Sequence, residues 1–300
     1  MNRDKIFGAL FGVAVGDALG APVEFMSANE IISQYGRVTT MLGGGWLNLN
    51  PGEITDDTEM SLCVAEGIII APETPVGEIG ARFIDWYNTR PKDIVRACEY
   101  PIRNVLRNSR KSGKIANTKA WFDAAIEADG SVVGLSAGNG ALMRTVYTGL
   151  YYGTEHAPMT ADIAKMTHWN DKSTEACLLY SQIIALLTAD ADVKIIKDVL
   201  RGTRYADHRQ TYSPSANVVD SMCCALDSLL ATTSFESAVV AAVNLGGDAD
   251  TIGAITGGLA GACYGLSAIP KIWLEQLSRE VTDQINRLAE IAYKKRAGQP

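Results

Sequence analysis

Histidine is scarce. The 300 residues include three, His156, His168 and His208, and none is spaced as H-E-x-x-H, which excludes a zinc hydrolase of that type. The six cysteines (Cys63, Cys98, Cys177, Cys223, Cys224 and Cys263) form no C-x-x-C pair, and most sit in apolar helical stretches. A disulfide framework and a structural zinc site are disfavoured, and a reducing compartment, the cytoplasm, is expected. No basic run exceeds the three residues Lys294-Lys295-Arg296. Lys and Arg number 27 against 34 Asp and Glu, a net charge of −7. That balance disfavours binding to a nucleic-acid backbone or to a membrane through a polybasic patch. No stretch reaches ~18 uninterrupted apolar residues, so no membrane span is expected. Residues 6–23 briefly resemble a signal-peptide core, but Asp17 interrupts the run and Asp4 weakens its positive start. Alternating strand patterns are rare, and 38–42 is the best short candidate. There is no G-X-Y period, low-complexity tract, linker or fixed repeat, which excludes collagen, disorder and a solenoid.

What is present is apolar and helical. Hydrophobic residues make up 47% of the chain. Segments 173–187, 215–230, 235–243 and 272–293 carry apolar residues at helical spacing, with Ser173 as a cap. The pattern predicts roughly ten to thirteen helices in one all-α domain spanning 1–300. Two long loops, near 36–55 and 205–215, are candidates for function.

The 28 glycines are the unusual feature. Gly8, Gly12, Gly16 and Gly20 fall every four residues, as do Gly253, Gly257, Gly261 and Gly265. That spacing puts each set on one helix face, where another helix can approach closely. Each such glycine costs about 0.5–1 kcal/mol against alanine, so eight of them need compensation from close packing. Aspartates flank both stripes: Asp17 follows Gly16, and Asp248 and Asp250 precede Gly253. Carboxylates are costly to bury at the end of a helix pair unless they hold a cation.

Two hydroxyl-carboxylate clusters stand far apart in sequence, Thr55-Asp56-Asp57-Thr58-Glu59 and Asp248-Ala249-Asp250-Thr251. A capped helix start explains the first on its own. If the two clusters meet, they offer only oxygen ligands, which suit Mg²⁺, Mn²⁺ or Ca²⁺ rather than Zn²⁺. Four aspartates balance about two divalent ions.

At these residues the chain resembles the ADP-ribosylglycohydrolase family. The likeness rests on four motifs in order: Gly16-Asp17-Ala18-Leu19-Gly20 with Pro22 and Glu24, Thr55 to Thr58, Gly138-Asn139-Gly140 with Met143-Arg144, and Gly247 to Thr251. It runs nearly end to end. Gly43 to Leu47 and Ile54 to Ser61 look most similar to the bacterial members that act on dinitrogenase reductase. The resemblance implies an orthogonal helical bundle with a binuclear Mg²⁺ or Mn²⁺ centre. Its ligands would be Thr55, Asp56, Asp57, Asp248, Asp250 and Thr251. The implied reaction hydrolyses the bond from the ribose of ADP-ribose to a protein side chain, arginine in those bacterial members. The nitrogenase iron protein enters as a target by resemblance only.

Further roles follow from the same likeness. Asp93 matches an acid/base carboxylate, and a helix-start acid after Pro91 remains the alternative. Glu24 matches a mobile flap carboxylate, or is a solvated loop acid. Gly138-Asn139-Gly140 would seat the diphosphate on backbone N–H groups at a helix N-terminus, or is an ordinary turn. His168, in a family Thr-His segment, would contact substrate, or is a satisfied structural histidine.

The pattern breaks in two places. Ile94-Val95-Arg96 replaces a glycine and small polar run, setting Arg96 where relatives place an asparagine near substrate. Ser215-Ala216-Asn217 replaces an aromatic used for adenine stacking, and Tyr212 lies out of position to substitute. Hydrolysis of another linkage, O-linked or in a nucleotide derivative, is therefore an alternative. A non-catalytic, crystallin-like ADP-ribose binder is a third reading, opposed by the presence of all six ligands.

Overall fold

The computed structural model describes residues 1–112, 117–131, 137–155, 157–207 and 212–299. His156, His208 and part of the 205–215 loop lie outside the described residues. Fifteen α-helices and no strand stand among the described residues. They are α1 (Arg3–Gly20), α2 (Ala28–Tyr35), α3 (Asp56–Ile70), α4 (Pro75–Asn88) and α5 (Arg96–Ser112). There follow α6 (Thr118–Ser131), α7 (Val146–Tyr152), α8 (Ala157–Lys165), α9 (Asp171–Leu187) and α10 (Ile195–Leu200). The last five are α11 (Val218–Leu230), α12 (Phe235–Val243), α13 (Ala249–Tyr264), α14 (Lys271–Gln276) and α15 (Arg279–Arg296).

The two glycine stripes meet. α1 and α13 run antiparallel through the centre, with Gly8 against Gly261 and Gly265, Gly12 against Gly257, and Gly16 against Gly253. A methyl group on Gly12 would overlap the Gly257 carbonyl oxygen, and one on Gly257 would overlap that of Gly12. On Gly8 it would lie 2.6 Å from the Gly261 carbonyl oxygen. Backbone touches backbone, so only glycine fits. Every residue from Ile6 to Gly20 of α1 and from Ala249 to Ala262 of α13 is buried. α1 and the turn after it, Arg3–Val23, are apolar enough to cross a membrane, with a mean hydropathy of 1.7, yet this apolar window is wholly buried within the fold. The helix is apolar all round because protein surrounds it.

The antiparallel pairing puts the C-terminal end of α1 beside the N-terminal end of α13. Asp17, Glu24, Asp248 and Asp250 therefore gather at one end of the central pair, where α3 also begins.

Local differences from the sequence pattern have physical causes. Residues 38–42 form no strand, because the Asn244 side chain pairs the Val38 backbone instead: Val38 N–H donates to Asn244 Oδ1 at 2.9 Å, and Asn244 Nδ2 donates to the Val38 carbonyl at 2.8 Å. The 272–293 helix is split into α14 and α15. Leu277 turns to extended backbone, and the Ser278 hydroxyl caps α15 by accepting from Val281 N–H. α9 starts earlier than Ser173, with Asn170 as its cap, its side chain accepting from Lys172 N–H.

Candidate active site

α3 begins with a cap borrowed from another helix. Thr55 occupies the cap position but makes no capping bond with its own side chain. Asp17 of α1 supplies it. Asp17 Oδ2 accepts from Thr55 N–H at 3.0 Å, from Thr58 N–H at 3.1 Å and from the Thr58 hydroxyl at 2.5 Å. Asp17 Oδ1 accepts from the Thr55 hydroxyl at 2.8 Å. Burial raises this carboxyl to about 6, and the same hydrogen bonds from Thr58 and Thr55 restrain the rise. A cation was the expected compensation for Asp17. Four protein donors provide it instead.

The two hydroxyl-carboxylate clusters meet beyond Asp17. Asp57 Oδ2 accepts from the Thr251 hydroxyl at 3.3 Å and from the Thr55 hydroxyl at 3.4 Å. Asp57 Oδ1 is buried with no hydrogen-bond partner. Asp56 Oδ2 accepts from Val95 N–H at 3.1 Å. Asp250 Oδ1 accepts from Thr251 N–H at 2.8 Å, and Asp248 Oδ2 accepts from Asn139 Nδ2 at 2.5 Å. Glu24, Asp93 and Asp250 each present a carboxylate oxygen within 4.8 Å of the other two. Asp93 lies before α5, which starts at Arg96, so it turns toward this cluster and is not in the helix's first turn.

Electrostatics set the chemistry of this end. Burial raises the pKa of Asp56, Asp57 and Asp250 well above the ordinary value, and repulsion among the neighbouring carboxylates adds to the rise. Burial likewise raises Asp93 and Asp248, and it pushes Glu24 up to about 8. Such a group either stays protonated or holds positive charge from outside the chain. The unpaired Asp57 oxygen and the oxygen-only donor set fit a hard divalent cation.

Glu24 is tied to the first long loop. Trp46 Nε1 donates to Glu24 Oε2 at 2.6 Å. The backbone around Glu24 is pinned as well: Phe25 N–H donates to the Gly247 carbonyl and Gly247 N–H to the Met26 carbonyl, both at 2.7 Å. Phe25 takes a left-handed φ of 65°, unusual for an aromatic residue. Its ring lies 5.6 Å from that of Trp46, and both side chains are exposed.

The remaining candidates divide. Gly138 bridges to Asn217, residues 140–144 form turns, and the next α-helix starts only at Val146, so Gly138-Asn139-Gly140 does not open an α-helix. Asn139 N–H is spent on the Ala216 carbonyl at 3.0 Å. The Asn139 side chain bridges Asp248 and the Ser221 hydroxyl, the latter at 2.8 Å, which makes it a brace for Asp248. His168 is fully buried. Its Nδ1 lies 2.8 Å from the Thr167 hydroxyl, while Nε2 has no partner. Burial depresses its pKa to about 3, so the imidazole is neutral. Arg144, also fully buried, donates to the Gly140 carbonyl and to the Thr167 hydroxyl, each at 2.7 Å, and so holds both segments. Arg96 is exposed at the start of α5. Asn217 caps α11, its side chain accepting from Val219 N–H, while the Tyr212 hydroxyl donates to the Asp207 carbonyl at 3.3 Å. Sequence reasoning missed the contacts of Trp46, Val95 and Asn139. Only the G-G-G-W run near Glu24 carried any advance signal.

The ADP-ribosylglycohydrolase family model matches residues 1–300. The chain belongs to the ADP-ribosylglycohydrolase family. Hydrolysis of an ADP-ribosyl linkage is therefore its class of reaction. Among curated relatives, the ADP-ribosyl-[dinitrogen reductase] glycohydrolase of Rhodospirillum rubrum is 36% identical over 95% of this chain and 94% of its own length. The ADP-ribosylarginine hydrolase Tri1 of Serratia proteamaculans is 31% identical over 96% of this chain and 79% of its own. A solved ADP-ribosylglycohydrolase-related protein complex contains a chain that superposes with a TM-score of 0.77 at 29% identity, covering 98% of both chains.

Proposed function

We propose that the protein removes ADP-ribose from modified arginine side chains of a protein substrate. The observation that carries this reading is the meeting of Asp57 and Thr251, which brings two distant oxygen-donor clusters around an unpaired buried carboxylate oxygen. The names of the Rhodospirillum and Serratia relatives support dinitrogenase reductase and arginine as precedents for the acceptor. Thr55, Asp56, Asp57, Asp248, Asp250 and Thr251 would hold two divalent ions, Mg²⁺ or Mn²⁺. These ions would supply the positive charge that orients ribose hydroxyls and acidifies water.

The chain's own residues do the rest. Breaking a bond to a guanidinium nitrogen needs a proton for the leaving group and a base for the attacking water. Asp93, shifted by burial toward its protonated form, is the group to hold that proton. Glu24, positioned by Trp46, and Asp56, positioned by Val95 N–H, complete the catalytic carboxylates. Gly138, Asn139 and Gly140 line the diphosphate side, with the unpaired His168 Nε2 nearby, and Arg96 stands at the acceptor side. The six free cysteines suit a cytoplasmic protein, and we read 1–300 as one domain.

A panel tests this reading. ADP-ribosylated arginine, serine and nucleic-acid ends are offered to the Mn²⁺-loaded protein, and free ADP-ribose is measured. Release from arginine alone is expected. Release only from serine or nucleic-acid ends would move the activity to another linkage, the outcome that the Ile94-Val95-Arg96 departure keeps open.

A further inference from the structure

We propose that a basic cleft between α4 and α5 receives an acidic segment of the modified protein. This rests on the reading above that the acceptor is a protein. α5 carries Arg96, Arg103, Arg107 and Arg110, all exposed, at steps of seven, four and three residues. Those steps place them on one helix face. Two adjoining clefts of about 400 and 440 Å³ share Tyr87 and Asn88. The first is walled by Arg90, Pro91 and Ile94, the residue next to Asp93. The second is walled by Arg103, Leu106, Arg107 and Arg110. The cleft thus leads away from the site along a line of guanidinium groups, in a chain whose net charge is −7.

The charges in it are available. Arg103 meets Glu99 at 3.6 Å and Arg107 meets Glu127 at 2.7 Å, with both arginine side chains at least half exposed. Exposed pairs of this kind are worth little and exchange readily for a bidentate carboxylate partner. Arg90 and Arg110 have no acidic partner among the described residues. Tyr87 and Leu106 add apolar surface between the arginines, which suits a polypeptide. From Arg96 to Arg110 the helix rises about 21 Å, the length of about six extended residues.

The probes are two peptides with a central arginine, flanked on each side by about six glutamates or by as many serines. Each is used unmodified for binding and ADP-ribosylated for turnover. The wild-type protein should bind the glutamate peptide, and lower its KM, by ~10-fold or more over the serine peptide, with the gain fading as salt rises. The double variant Arg103→Glu/Arg110→Glu should lose this preference yet keep its melting temperature and its turnover of free ADP-ribosyl-arginine. Equal binding of both peptides by the wild type, or a preference that survives in the variant, overturns the proposal. Binding of an oligouridylate that disappears in the variant, without any peptide preference, overturns it in favour of nucleic acid. A glutamate preference in binding without turnover of either peptide leaves the cleft standing and removes the arginine linkage.

Discussion

Asp17 of α1 accepts a 2.5 Å hydrogen bond from the Thr58 hydroxyl of α3. With the three further donors on the same carboxylate, this contact fixes where α3 starts, and hence where Asp56 and Asp57 point. Asp17→Ala leaves two backbone N–H groups and two hydroxyls without their acceptor. The expected loss is roughly 3–5 kcal/mol in urea unfolding. Asp17→Asn sets an amide donor against those donors and should cost a smaller amount. A loss below about 1 kcal/mol in Asp17→Ala would mean that the cap is dispensable.

The glycine stripes make a second prediction. In Gly12→Ala the added methyl overlaps the Gly257 carbonyl, which is backbone and cannot move aside. The variant should lose about 3 kcal/mol or more, or fail to fold. Gly77, in α4, has open space where a methyl group would stand, with nothing within 4 Å, so Gly77→Ala should gain about 0.5–1 kcal/mol. Thermal unfolding of the two side by side checks both directions.

The central pair was legible in the sequence because a four-residue spacing is simple arithmetic on a helix, and glycine has one good reason to repeat there. The carboxylate clusters were legible for a similar reason: acids and hydroxyls stand together at two helix starts. The contacts that aim them were not. Asp17 caps a helix that starts 38 or more residues away. Val95 lends its backbone N–H to Asp56, which any residue type except proline can do, so its identity carries no signal. Asn139 enters through the family resemblance as a neighbour of the diphosphate, and nothing in its local sequence signals that its side chain also braces Asp248. The split between α14 and α15 at Leu277 depends on tertiary burial, which local periodicity does not record.

His168 gives a pH prediction. Its pKa falls from 6.5 to about 3 on folding, because burial and the Arg144 charge both oppose protonation. A depressed folded value contributes stability that is fully present above about pH 6.5 and is lost as pH falls toward 3. Acidification in this window should cost the wild type up to about 1.4 kcal/mol per pH unit more than it costs His168→Gln. Stability of the two proteins measured across that window checks the difference, and parallel curves would contradict it.

The acid cluster acts with the opposite sign. Its carboxyls have raised folded values, Glu24 near 8 from 4.5, so the metal-free protein binds protons that the unfolded chain has released. Their contribution is present at low pH and is lost as pH climbs through that interval. Divalent ions require the ionised forms, so Mn²⁺ should raise the melting temperature more at about pH 8 than at about pH 5.5. Asp57→Asn should remove most of that gain.

The most direct test of the account is release of ADP-ribose from ADP-ribosyl-arginine by chelator-treated protein, before and after Mn²⁺ is restored, in the wild type and in Asp56→Ala and Asp250→Asn. The account predicts no release after chelation, recovery with Mn²⁺ in the wild type, and at least ~100-fold lower activity in both variants. Full activity in the chelated wild type, or undiminished activity in the Mn²⁺-loaded variants, would contradict it.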